Sequence, residues 1–293
     1  MKVNWLKYRK WYFGLSGLSI AISVFGLIRW GLPLGVDFRG GTVIEYSFPS
    51  DVSTEELDDL LQQSGVETSS VQSVGENYLV RLGQVDRGVR EKVLLDLKAR
   101  YGEDTEEISF ENVGPMIGSE LIRKTMYAVL ISAGGILLWV AFSFKNVKYG
   151  VSAVAAMFHD SFILLGSFTI LGHFLGAEVD FLFVTALLTT LSFSVHDTIV
   201  VYDRIREISR KHGGEFSDVA NNALNETMRR SINNSVTIAL MLLSLATLGG
   251  SSVHWFSIAL LIGTILGTYS SPFVAVPLLV TWLEKARKKQ VNT

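Results

Sequence analysis

Six apolar stretches decide what this chain can be. They lie at roughly residues 11–30, 124–144, 150–172, 180–203, 232–249 and 256–282. Each approaches or exceeds the ~20 apolar residues that a helix needs to cross a bilayer. No water reaches backbone groups in the hydrocarbon layer, so a spanning segment must pair its own N–H and C=O groups, as a helix does. The expectation is an α-helical membrane protein with six spans. Charged residues make up 18% of the chain, below the ~25% of soluble domains. A net charge of −2 gives no reason to expect a nucleic-acid partner, and the absence of cysteine excludes disulfides and thiolate metal sites.

The first span follows Lys2, Lys7, Arg9 and Lys10, as a signal peptide would. Its apolar run is longer than a signal core and no small-residue cleavage site follows, so it reads as a retained span. Lysine and arginine orient the rest. They crowd the N-terminus, residues 145–149, residues 204–230 and the tail (Lys285, Arg287, Lys288, Lys289), and are missing from 173–179 and 250–255. Both termini are expected to be cytoplasmic. Arg123 and Lys124 go against the trend, but they follow a long translocated segment, where the rule is weak.

Between the first and second spans lies a polar insert of domain size. "GGTVIEYSF" alternates and is rich in β-formers, so it reads as a strand. "STEELDDLLQQSG" has a Ser53/Thr54 cap, acids in its first turn and Gly65 past its end, the signals of a helix. "SSVQSVG" and "NYLVRLG" read as two strands around the Gly75-Glu76-Asn77 turn. "DRGVREKVLLDLKARYG" reads as a second helix with an apolar face of Val89, Val93, Leu94 and Leu97, and "EEISFENVG" as a last strand. The order β-α-β-β-α-β is a split βαβ, giving an α+β ferredoxin-like domain outside the membrane. It has no His, Cys or P-loop, so a binding or relaying role is expected, and no enzyme activity. The expected division is residues 1–36 for the N-terminus and first helix, 37–122 for the outer domain, 123–283 for a five-helix bundle and 284–293 for a basic tail.

The polar residues inside the spans carry the chemistry. Asp197 lies in the cytoplasmic half of the fourth span. A charge at the bilayer centre costs ~3 kcal/mol on insertion scales, so such residues face the bundle interior or water. Thr190, Ser194 and Asp197 fall at i, i+4 and i+7, one stripe of a helix otherwise faced by Leu, Val, Ile and Phe. Arg230, Asn233, Asn234 and Thr237 form a similar stripe opening the fifth span. Asp197 and Arg230 are placed to meet, either as a static pair fixing helix register or as a pair that forms and breaks while a proton moves. His159 and Asp160 sit about ten residues into the third span. His196 lies about 100° around the helix from Asp197. A G-x-x-x-G, Gly263 and Gly267, permits close helix contact in the last span. Pro272 and Pro277 interrupt that span. Asp203, Arg204, Arg206 and Glu207 read as a solvated helix end, and His254 as an outer-loop residue.

"GVDFRGGT" after the first span, "HD" in the third, "DTIVVYDRIRE" closing the fourth, "RRSINNSVT" opening the fifth and "GTYSSPFVA" in the sixth resemble the SecF family of protein-export membrane proteins, relatives of the RND transporters. The resemblance covers nearly the whole chain. It implies a bacterial cytoplasmic-membrane subunit that joins SecD, the SecYEG channel and YajC, acts on unfolded preproteins among membrane lipids, and uses the proton-motive force without cofactor or metal. It implies that Asp197 carries the proton and that Arg230 is its counter-ion, with Arg229 the runner-up. His159, Asp160 and His196 are candidates for the same path, His196 standing where the family commonly has Asn. Asp37, Arg39, Gly40 and Gly41 match the signature after the first helix, with a structural role. Two rivals remain at this stage: an RND-type exporter of small molecules or lipids, and a purely structural assembly factor. Sodium in place of protons is a further possibility.

Overall fold

The computed structural model describes residues 3–75 and 77–291. Lys2 and Glu76 lie outside the described residues, as do the side chains of Arg287, Lys288 and Lys289. In chain order the elements begin with a short 3-10 turn, Trp5–Tyr8, and α1 (Arg9–Trp30). Then come α2 (Val36–Arg39), β1 (Gly41–Ser47), α3 (Thr54–Gln63), β2 (Thr68–Val74), β3 (Asn77–Leu82), α4 (Arg87–Tyr101) and β4 (Glu106–Val113). The membrane helices continue as α5 (Pro115–Phe144), α6 (Val147–Leu175), α7 (Phe181–His212), α8 (Phe216–Leu248) and α9 (Ser251–Ser270). A π-helical turn, Ser271–Ala275, joins α9 to α10 (Val276–Val291).

Among the described residues six helical segments are long and apolar enough to cross a membrane: Trp5–Trp30, Gly118–Phe144, Val147–Leu175, Phe181–Lys211, Phe216–Leu248 and Ser252–Ala286. Two of them outrun their apolar stretches. The segment 204–231, expected to leave the membrane, is mostly helix. α7 runs 32 residues, about 48 Å at 1.5 Å per residue, and α8 runs 33. Hydropathy marks where a helix is apolar, not where it stops. Beyond the apolar part of α7, Lys211 pairs with Glu207 at i,i+4, 2.7 Å apart, and Arg204 pairs with Glu207 and with Glu226 of α8.

One compact unit comprises Leu34–Tyr127 and Glu178–Phe181. Its four strands stand in the order β2-β3-β1-β4, every neighbouring pair antiparallel. The alternation in β1 sends Ile44 and Tyr46 into the core with Val80 and Leu82. Leu57 and Leu61 of α3 and Val93 and Leu97 of α4 cover them. Val89, expected on the apolar face of α4, is exposed. It lies in the first turn, before the helix settles on the sheet. Ser53 occupies the cap position of α3 without a capping side-chain bond. Gly40 and Gly41 have φ of 77° and 136°, and a Cβ on Gly41 would sit 2.9 Å from the Leu82 carbonyl oxygen. Only glycine fits there. Asp37, four residues earlier, accepts a 2.8 Å bond from the Phe181 N–H, the first residue of α7. Arg39 is exposed at the end of α2. Glu178 lies 2.6 Å from Arg81; burial pushes its carboxyl up and Arg81 pulls it back.

The other unit holds the membrane helices. In their most apolar windows α6 and the last span are each 56% buried and α7 50%, against 17% for α5 and 11% for α8. α6, α7 and the last span therefore supply most of the buried surface of the bundle. The small and polar residues of α6, Ser152, Ala153, Ala156, His159 and Asp160, are buried. The G-x-x-x-G of α9 packs on α7: a Cβ on Gly263 would lie 2.0 Å from Thr190 Cγ2, and one on Gly267 3.2 Å from Ser194 Cα. The π-turn falls at Pro272, whose missing N–H and ring forbid a regular turn.

Candidate functional site

Asp197 is reached by following the polar stripe of α7. Thr190 is buried and spends its hydroxyl on the Leu187 carbonyl, 2.8 Å away. Ser194 is buried and points to α6. Asp197 points to α8, where its Oδ2 accepts a 2.7 Å bond from Ser231 Oγ. One sequence stripe thus serves two neighbours.

Between α7 and α8 lies a cavity of about 210 Å³, lined among others by His196, Asp197, Thr227, Arg230, Ser231 and Asn234. A pocket of about 20 Å³ shares His196, Asp197 and Asn234 and continues past Ser235 and Thr268. It has about the volume that one water needs. Thr268 donates to Ser235 Oγ at 2.5 Å. Asp197 and Arg230 line one cavity, but among the described residues no ion pair of 4.0 Å or less joins them. The carboxylate is held instead by a neutral hydroxyl. Arg229 and Arg230 are both exposed, and of the two Arg230 is the one that lines the cavity. His196 is exposed and borders both spaces. Asn234, also exposed, lines both spaces; Asn233 and Thr237 line neither and bond each other, Thr237 donating to the Asn233 carbonyl at 2.9 Å. The α8 face that meets α7 is Thr227, Ser231, Asn234 and Ser235. A stripe drawn through Arg230 misses Ser231, although it is the next residue.

A second carboxylate lies deeper. Asp160 is 4% exposed and His159 7%. His159 Nδ1 is 2.9 Å from Asp160 Oδ1. Ser194 of α7 and Ser270 at the end of α9 both donate to Asp160 Oδ2, at 2.7 and 2.5 Å. Thr198 and Ser271 extend this lattice: their hydroxyls are 2.9 Å apart and both donate to the Ser194 carbonyl. Sequence periodicity misses Thr198, Ser270 and Ser271, because single hydroxyls are common in membrane helices and bond their own carbonyls there. Arg206, expected in solvent, donates to the Ser143 carbonyl at 3.0 Å. His254 Nδ1 lies 2.7 Å from the Ala246 carbonyl oxygen.

The arrangement puts a carboxylate and a guanidinium on the wall of one 210 Å³ cavity, and the same carboxylate on a second, water-sized pocket. No group of three or more metal-ligating His, Cys, Asp or Glu occurs among the described residues.

Comparison with known proteins agrees across nearly the whole chain. The family described as "Protein export membrane protein SecD/SecF, C-terminal" matches residues 93–285, and the "SecD/SecF GG Motif" matches residues 31–48. The protein translocase subunit SecF of Thermobaculum terrenum is 41% identical over 301 residues, 97% of this chain and 95% of the relative. The crystal structure of SecDF, a translocon-associated membrane protein from Thermus thermophilus, superposes with a TM-score of 0.87 at 31% identity, covering 97% of this chain and 39% of that one. SecDF in its super-membrane-facing form gives a TM-score of 0.73 at 30% identity, over 100% of this chain and 40% of that one. The chain thus spans about two fifths of each SecDF chain. With its helices, its sheet domain and its glycine signature all accounted for by these matches, the chain belongs to the SecD/SecF family of protein-export membrane proteins.

Proposed function

We propose that this chain is the SecF half of a proton-driven accessory unit of the Sec translocase, aiding late-stage export of unfolded preproteins across the bacterial cytoplasmic membrane. The observation that carries the reading is Asp197, a carboxylate at membrane depth, opening on a 210 Å³ cavity that also contains Arg230. Both termini are cytoplasmic and the sheet domain lies outside. Its strand order, β2-β3-β1-β4, supports a ferredoxin-like reading. SecD supplies the matching half, and SecYEG and YajC are the further partners. No bond-breaking chemistry is involved.

In this mechanism Asp197 takes a proton from one side and releases it to the other. Each charge that crosses releases ~2.3 kcal/mol per 100 mV. Coupling needs two helix arrangements that treat the carboxylate differently. In the arrangement described here Ser231 holds it; in the other Arg230 comes within pairing distance and expels the proton by favouring the charged form. The polar spaces along α7 and α8 give the proton a hydrated approach, with His196 at their border.

The test is Asp197→Asn, assembled with SecD in vesicles that hold a stalled export intermediate. Completion with and without a proton gradient is compared. The proposal expects the gradient to give no acceleration in the assembled variant. An undiminished acceleration sinks it and makes Asp197 a structural pairing residue. A sodium gradient that replaces the proton gradient would keep the site and change its ion.

A further inference from the structure

The His159–Asp160 pair is built differently from the Asp197 site, and the mechanism proposed for Asp197 gives it no step. Asp160 accepts from three donors, one each from α6, α7 and the end of α9. A hydrogen bond from His159 Nδ1–H to Asp160 fixes the tautomer of a neutral imidazole and leaves Nε2 as a bare acceptor. That Nε2 is buried and, among the described residues, has no hydrogen-bond partner. Leaving such an atom unsatisfied costs ~1–3 kcal/mol. With neutral imidazole and ionised carboxylate the pair carries a net charge of −1 in the middle of the bundle. Ser194 of α7 and Ser270 at the end of α9 reach it with neutral hydroxyls, and Thr198 and Ser271 sit one bond further out, on the Ser194 carbonyl. Tyr269 of α9 stacks on the imidazole with ring centres 6.3 Å apart, and ties to α1 through Ser16. Among the described residues no Lys, Arg or Glu is hydrogen-bonded or ion-paired to either member.

We propose that His159–Asp160 is a second proton-binding site of this bundle, with His159 Nε2 the atom that takes the proton. The Nε2–H bond forms as an O–H bond of hydronium breaks and water leaves. The pair passes from a net −1 to a neutral imidazolium–carboxylate. Because Asp160 Oδ2 also holds Ser194 and Ser270, the occupancy of this site sets how firmly α6 grips α7 and the π-turn. The inference stands on this geometry and does not depend on the role given to Asp197.

The test titrates the full chain, assembled with SecD in lipid nanodiscs, by the 15N chemical shifts of its histidine side chains between about pH 5 and pH 8. Replacing His173, His196, His212 and His254 in turn by Gln assigns His159 by elimination. The expected result is a His159 transition from the Nδ1–H tautomer to imidazolium within that range, displaced by about one pH unit or more in Asp160→Asn. A His159 that keeps one protonation state throughout overturns the proposal, and so does a transition that Asp160→Asn leaves in place. If Asp160→Asn does not fold, the titration of the unaltered chain decides alone. Asp197→Asn should leave the His159 transition present, so failure here and failure of the export reading give separate results.

Discussion

Two aspartates in one bundle meet the cost of a membrane carboxylate in opposite ways. Asp160 is 4% exposed, and its two oxygens are taken up by an imidazole and two serines from three elements. Among the described residues Asp197 accepts from Ser231 alone, and it opens on a cavity. The first is satisfied by protein and the second by space for water. They are linked by one turn of α7, since Ser194 serves Asp160 and Asp197 follows three residues later. The lesson is that burial and residue type alone do not define a transport site. Asp160, with its three donors, is a packing centre as well, whereas Asp197 has one donor and a cavity beside it.

This contrast can be broken or sharpened. The largest effect on stability is expected from Asp160→Ala, which strands Ser194, Ser270 and His159 without their acceptor. A loss of about 2–4 kcal/mol is expected, read as the unfolding midpoint in detergent, and Asp197→Ala should cost much less. Equal losses would erase the distinction between the two sites. Next comes Gly263→Val, where even the Cβ would fall 2.0 Å from Thr190 Cγ2. Overpacking of α9 on α7 should cost ~2 kcal/mol. The double variant with Thr190→Ala should recover part of that stability, and no recovery would place the strain elsewhere. Ser231→Ala removes the hydroxyl that donates to Asp197 and should cost ~1 kcal/mol, while slowing gradient-driven export without abolishing it. Thr237→Ala, on the exposed face of α8, should stay within about 0.5 kcal/mol and leave export unchanged. A strong effect there would mean that the stripe through Arg230, and not the one through Ser231, faces the working site.

Much of this architecture is legible in the sequence, for local reasons. Apolar runs declare the six helices, and alternation with turn residues declares the order of strands and helices around β1. The glycine signature is legible as well, because Gly40 and Gly41 occupy backbone conformations that other residues avoid. What periodicity withholds is direction. Thr190, Ser194 and Asp197 share a stripe, yet Ser194 bonds α6 and Asp197 bonds α8, a matter of where the neighbours stand. The same limit hides Ser231, Thr198, Ser270 and Ser271, whose importance comes from partners more than thirty residues away. Helix ends are missed for another reason: α7 continues as a charged helix after its apolar stretch has stopped, and α8 begins as one before its apolar stretch starts. The G-x-x-x-G of α9 is too common to weigh in a sequence, and only its approach to Thr190 and Ser194 gives it meaning.

The most direct test of the central claim is proton flux itself. The chain is reconstituted with SecD in liposomes holding a pH-sensitive dye, and a pH step is applied outside. The account predicts proton entry that Asp197→Asn abolishes, with Asp197→Glu retaining part of it. Entry that is equally fast in Asp197→Asn would contradict the account, and the carboxylate on which it rests would be a structural residue.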